Sequence, residues 1–213
     1  AAASELARRH GIYLHIGSTA IAAPGGMAAN RAFLFGPDGN QVETYDKIHM
    51  FDATVSEHES YRESAAFRAG DTAVVARGPD DLPIGMTVCY DLRFPVFCRN
   101  RYDVERPGDL DFDLQLFVAN WPAARAYAWK TLLRARAIEN LCFVVGVNRV
   151  GVDGNGIAYS GDSAALDFLG QPLSECTDAE QVTTTTLSAA DLAAHRERFP
   201  AMLDADRFEL RER

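Results

Sequence analysis

The chain has 213 residues, of which 47% are apolar, 24% charged and 10% aromatic, a length and composition that suit one folded domain with a sizeable core and exclude disordered, collagen-like or low-complexity chains. Thirty acidic against 21 basic residues give a net charge of −9, and with no basic run this argues against nucleic acid as a partner. No stretch approaches the ~18 consecutive apolar residues of a membrane span, so no membrane is expected either.

Residues 3–10 are predicted as the end of a helix stopped by Gly11, and residues 12–18 as a strand. Residues 31–35 and 41–45 flank Gly36-Pro37-Asp38-Gly39-Asn40, dense turn chemistry that predicts a hairpin. From Ile48 to Asp71 the periodicity disappears, and a long functional loop is expected there. Strands follow at 73–76 and 84–89, the second running into a short helix with Asp91 as its N-cap. A strand at 113–119, a long helix at 123–140 and a strand at 142–150 buried on both faces come next. After a turn at 153–156, strands are predicted at 163–168 and 181–187 and a terminal helix at 189–199. Hairpins mixed with strand–helix–strand units, without repeat or linker, predict a single layered α/β domain over 1–213.

The four cysteines, Cys89, Cys98, Cys142 and Cys176, form no C-x-x-C pair, so reduced thiols in a cytoplasm are expected rather than a zinc ribbon or disulfide framework. The five histidines lack ligand spacing, and no catalytic metal is expected. The N-terminus has no apolar signal core and no initiator Met.

Cys89 ends a strand just before a predicted helix start. There a thiolate gains from the helix dipole and free backbone N–H groups, which lower its pKa and serve equally to hold an oxyanion. The same position suits a small buried hydrophobe. Lys47 closes the second hairpin strand at the mouth of the long loop, where a solvated lysine is equally at home. Glu57, Glu59 and Glu63 lie in that loop, and no spacing rule selects one of them. Gly161-Asp162-Ser163-Ala164-Ala165 lacks the last glycine of a serine nucleophile elbow and enters a strand. A Cys–His hydrolase would need a histidine beside Cys89, which spacing alone leaves open.

Taken together, Tyr45-Asp46-Lys47-Ile48-His49-Met50-Phe51-Asp52, Tyr61-Arg62-Glu63-Ser64 and Val88-Cys89-Tyr90-Asp91-Leu92-Arg93-Phe94-Pro95 resemble the nitrilase (carbon–nitrogen hydrolase) superfamily. Ala119-Asn120-Trp121-Pro122, Arg134-Ala135-Arg136-Ala137-Ile138-Glu139-Asn140, Val147-Asn148-Arg149-Val150-Gly151 and Tyr159-Ser160-Gly161-Asp162-Ser163 continue the likeness in order. Within the superfamily the chain is most similar to the ω-amidase, or 2-oxoglutaramate amidase, group, as are Arg196-Glu197-Arg198-Phe199-Pro200 and Asp204-Ala205-Asp206.

The resemblance implies a four-layer α-β-β-α sandwich, a homodimer or higher homo-oligomer, a small-molecule amide substrate, no metal or organic cofactor, and a Glu-Lys-Cys triad working through a thioester. Cys89 falls on the nucleophile and Lys47 on the triad lysine. Glu63 falls on an additional active-site glutamate, with Glu57, in Glu57-His58-Glu59-Ser60-Tyr61, as the alternative. Lys47 and the Tyr90 backbone N–H are expected to hold the oxyanion, and Arg93 a distal substrate carboxylate unless it pairs with Glu139 or an aspartate. Asn120 and Trp121 are expected in the pocket wall, Trp121 equally in the core. The family opens with a strand, a helix and a Pro-Glu segment that carries the acid–base glutamate. This chain starts in what reads as the following helix, and Glu5 does not fit that motif. A fragment, or a shortened form lacking the acid–base group, is therefore expected. The alternative functions are another C–N hydrolase (nitrilase, N-carbamoyl amino acid amidohydrolase or deaminated glutathione amidase) or a non-catalytic binding protein.

Overall fold

A computed structural model describes residues 1–56, 59–102 and 110–206. Helix α1 (Ala2–His10) stops at Gly11, whose φ of +61° turns the chain through the left-handed region. Strands β1 (Leu14–Ala22), β2 (Ala28–Phe35) and β3 (Gln41–Asp46) form an antiparallel meander. The expected hairpin is present, with Arg31 opposite Asp46 and Ala32 opposite Tyr45. Helix α1 lies on this sheet, buries Ala7, and donates from Ser4 Oγ to the Gly39 carbonyl at 2.6 Å.

The segment predicted as a loop is largely ordered pairing. Strands β4 (Asp52–Ser56) and β5 (Glu59–Arg62) make a hairpin, and after a tight turn β6 (Phe67–Arg68) runs parallel to β2. These strands are short: Asp52–Ser56 alternates over only five residues, and Glu59–Arg62 and Phe67–Arg68 carry no alternation at all, too little for a sequence reading to detect.

Strands β7 (Val74–Arg77), β8 (Pro83–Val88) and β9 (Leu114–Ala119) begin a second sheet, which α2 (Ala126–Asn140) connects to β10 (Phe143–Asn148). A small hairpin of β11 (Val150–Val152) and β12 (Ala158–Ser160) precedes β13 (Ala164–Leu166), β14 (Pro172–Glu175) and helix α3 (Ala189–Arg198). The sheet order is β14-β13-β10-β9-β8-β7, with β8, β9 and β10 mutually parallel. One face packs on the first sheet through Ala32, Leu34, Tyr45, Ala76, Met86 and Val88. The other packs on α2, where Trp129, Leu133 and Ala137 meet Phe117, Val144 and Leu166. The layers are thus helix, sheet, sheet, helix: the α-β-β-α sandwich expected.

Three predicted elements differ. The helix expected from Asp91 is a single tight turn, Cys89–Arg93, with Asp91 inside it and fully buried. Strand β10 is buried at its start, but Val147 is 53% exposed, so the strand is not covered on both faces along its length. Residues 181–187 are not a strand, although Thr183–Thr186 and Val182 have high β propensity. Propensity without a face to bury does not make a strand, and the partner of β13 is β14 instead. Among the described residues no helix is long and apolar enough to cross a membrane.

Candidate active site

A cavity of about 920 Å³ opens at the C-terminal ends of the parallel strands β8, β9 and β10. Strand ends of this kind are where open parallel sheets leave a crevice, because the connections to the covering helices diverge there. Strand β8 delivers Cys89 to the cavity, β9 delivers Asn120 and Trp121, β10 delivers Asn148 and Arg149, and the exit from β3 delivers Lys47. The β4–β5 hairpin and the turn after it form the wall that carries Glu63.

Cys89 has a φ of +50°, an uncommon conformation for a residue with a side chain, at the sharp turn from β8. Such a residue costs on the order of 1–3 kcal/mol and persists where the surroundings over-determine it. Burial pushes the thiol above its ordinary range, against the pull of the Lys47 ammonium and of the Asn120 backbone N–H, which donates to the sulfur. Glu63 and Asp91 add to the upward push. The helix dipole expected to lower the thiol is missing because one tight turn does not build a dipole.

Lys47 is 3% exposed, and its Nζ donates to Glu63 Oε2 at 2.5 Å. Its backbone is pinned on both sides: its N–H donates to the Asn30 carbonyl and its carbonyl accepts from Gly70 N–H, each at 2.9 Å. Glu63 also accepts from the Phe51 N–H at 2.7 Å and from Asn30 Nδ2 at 3.0 Å. Among the described residues Glu63 is the one carboxylate in the cavity wall. Glu57 lies outside the described residues.

Tyr90 lines the cavity with its ring against Phe51 and Phe94, at centroid distances of 4.9 and 5.1 Å. Asn120 is exposed at the rim. Trp121 is both wall and core: 4% exposed, its N–H donates to Asn148 Oδ1 at 2.7 Å and its indole Nε1 to the Arg125 carbonyl at 2.9 Å. The ion pair between Arg93 and Glu139 does not form. Glu139 pairs with Arg136 at 2.6 Å, while the Arg93 guanidinium sits over the Trp121 ring at 5.1 Å.

Sequence reasoning missed several wall residues. Arg125 lies over Phe51 at 5.5 Å and Arg149 over Tyr159 at 4.6 Å, and Tyr159 donates its hydroxyl to Asp153 at 3.0 Å. Among the described residues Arg93, Arg125 and Arg149 make no salt bridge, although Arg149 acts on the Asp153 carboxylate, so an acidic chain gathers three guanidinium groups at one cavity. The available signal was position: Arg149 follows directly on a strand that ends at the cavity. Asn30, from the middle of β2, gave no signal.

Residues 1–197 match the model of the carbon-nitrogen hydrolase family. The chain belongs to that family. Its members cleave carbon–nitrogen bonds other than peptide bonds, and the protein is such a hydrolase. It is 48% identical over 196 residues to the omega-amidase YafV of Yersinia enterocolitica, covering 90% of this chain and 68% of that one. It is 32% identical over 201 residues to the deaminated glutathione amidase of the same organism, covering 93% and 68%. A CN-hydrolase superfamily protein of Xanthomonas campestris, solved with an arsenic adduct in its active site, superimposes with a TM-score of 0.88 at 56% identity, covering 98% of this chain and 74% of that one.

Proposed function

We propose that this hydrolase releases ammonia from a small linear ω-amide acid, such as 2-oxoglutaramate or succinamate, through a thioester on Cys89. The observation that carries the reading is the pairing of Lys47 with Glu63 in the cavity that holds Cys89. As the Cys89 sulfur attacks the amide carbonyl its thiol proton passes to the Glu63 carboxylate, and the Lys47 ammonium with the Tyr90 backbone N–H holds the oxyanion. A preorganised donor of this kind is worth about 3–4 kcal/mol of barrier. Collapse of the tetrahedral intermediate expels ammonia, which takes its proton from the Glu63–Lys47 pair, Glu63 here doing the acid–base work that the resemblance gives to the triad glutamate, and leaves the acyl group on sulfur. Water, deprotonated through the same pair, then hydrolyses the thioester to the carboxylic acid, and the proton returns from Glu63 to sulfur to restore the thiol.

The substrate's distal carboxylate meets Arg93 at the rim, with Arg125 and Arg149 adding to the positive field. Asn120 and Trp121 form the wall beside it. The similarity to omega-amidase YafV supports this substrate class over a nitrile or a ureido acid. We place the enzyme in the cytoplasm, in keeping with its four unpaired cysteines. We assemble it as a homodimer or higher homo-oligomer, in keeping with Tyr127 and Ile138 of α2, 82% and 52% exposed.

Ammonia release from 2-oxoglutaramate and succinamate, set beside short nitriles and N-carbamoyl amino acids, tests the proposal. Activity on the ω-amides that vanishes in Cys89→Ala is expected; faster turnover of nitriles or ureido acids would reassign the substrate.

A further inference from the structure

The carboxylate of Asp91 is fully buried, and among the described residues no lysine or arginine reaches it. It accepts instead from four donors: Tyr45 hydroxyl at 2.7 Å, Val88 N–H at 2.9 Å, His49 N–H at 3.2 Å and His49 Nδ1–H at 2.7 Å. Burial and the neighbouring carboxylate push the Tyr45 phenol far up, so it remains a donor. The hydroxyl also accepts from the Ile48 N–H at 3.3 Å.

These donors come from two places. Tyr45, Ile48 and His49 bracket Lys47, whereas Val88 and Asp91 bracket Cys89. One buried carboxylate therefore ties the segment that carries the lysine to the turn that carries the cysteine. The His49 ring is fixed as well as bonded: it stacks on Phe94 at 3.7 Å and meets the edge of Phe97 at 4.9 Å. A buried carboxylate that loses a donor regains it only by moving, because low dielectric makes the unpaired state costly. Such a movement would carry the strained Cys89 turn with it.

We propose that His49 is a positioning residue, whose hydrogen bond to Asp91 fixes the Lys47 ammonium relative to the Cys89 sulfur. His49 does not line the substrate cavity. The inference rests on Cys89 as nucleophile, as the proposed function has it, and not on the identity of the amide.

Leucine keeps bulk between Phe94 and Phe97 but donates nothing, while asparagine returns an N–H donor to the place of Nδ1. The rate of Cys89 alkylation by iodoacetamide across pH, kcat and KM for succinamate, and the melting temperature are measured for the wild type, His49→Leu and His49→Asn. In His49→Leu the alkylation profile moves to higher pH, because the ammonium withdraws from the sulfur. There kcat falls about 10- to 100-fold with KM within about threefold, as expected for a misplaced reacting group. His49→Asn restores both to within about threefold of wild type. Wild-type alkylation and kcat in His49→Leu, or equal impairment in His49→Asn, would overturn the assignment. Should His49→Leu not fold, His49→Phe keeps an aromatic ring between Phe94 and Phe97 but donates nothing to Asp91, and is expected to shift the alkylation profile in the same direction; an unmoved profile would overturn the assignment. Alkylation needs no amide, so a wild type that turns over no ω-amide would sink the substrate reading and leave the His49 test intact.

Discussion

Lys47 and Glu63 are 16 residues apart in the chain and 2.5 Å apart in space, a buried ammonium on a carboxylate that also takes the Phe51 N–H. The approach depends on the β4–β5 hairpin, which folds the chain back so that Glu63 returns to the exit of β3.

Glu63→Gln strands the Lys47 ammonium in a buried site, and breaking such a pair costs about 3–5 kcal/mol. Adding Lys47→Met to that variant removes the stranded charge and should recover most of the stability without any activity. Urea unfolding at neutral pH reads both steps. A double variant no more stable than Glu63→Gln would mean that the pair is not what the stability depends on.

The His15 imidazole lines the cavity, its buried Nε2 has no partner among the described residues, and burial lowers its pKa from 6.5 to about 4. The unfolded chain takes up this proton first on acidification. The stabilisation is thus present above 6.5 and is lost as pH falls from 6.5 to about 4. His15→Gln should flatten that part of the stability profile. Identical wild-type and variant profiles between pH 7.5 and about 4 would contradict the assignment.

Gly70 donates its N–H to the Lys47 carbonyl, and a Cβ there would meet the Asp46 carbonyl oxygen, a backbone atom that cannot swing away. Gly70→Ala should therefore destabilise by about 1–3 kcal/mol and lower kcat, since the displaced segment carries Lys47. A variant with wild-type melting and turnover would show that the segment yields freely.

Arg93→Leu should raise KM for succinamate about tenfold, the loss of one charge-assisted contact, and Arg149→Leu should raise it less, about two- to threefold, through the weakened field. Turnover of uncharged propionamide should stay within about twofold of wild type. Equal losses on both substrates would assign these arginines to the structure of the cavity rather than to substrate charge.

The contiguous parts of the fold and site could be read in advance. The β2–β3 hairpin lies between two short runs joined by turn residues, and Cys89, Tyr90 and Arg93 fall within one eight-residue motif. The sandwich itself came with that resemblance. What could not be read depends on partners far apart in the chain. Asp91 looks like a helix cap until Tyr45 and His49, 46 and 42 residues earlier, are seen to fill its lone pairs. The strands of the β4–β5 hairpin are five and four residues long, too short for their pattern to stand out from a loop. Arg125 and Arg149 are ordinary surface arginines in sequence, and only the ends of the parallel strands bring them to one rim with Arg93. The strand expected at 181–187 shows the reverse error: Thr183 reaches Ser174 of β14 through a side-chain hydrogen bond at 3.2 Å, but the segment joins no sheet among the described residues.

The most direct test of the account is rapid quenching of the protein with succinamate, followed by intact-mass and peptide mass spectrometry. The account predicts an acyl adduct, lost on hydroxylamine treatment as a thioester is, mapped to Cys89 and missing from Cys89→Ala along with all ammonia release. Ammonia release that persists in Cys89→Ala, or an adduct on any other residue, would contradict it.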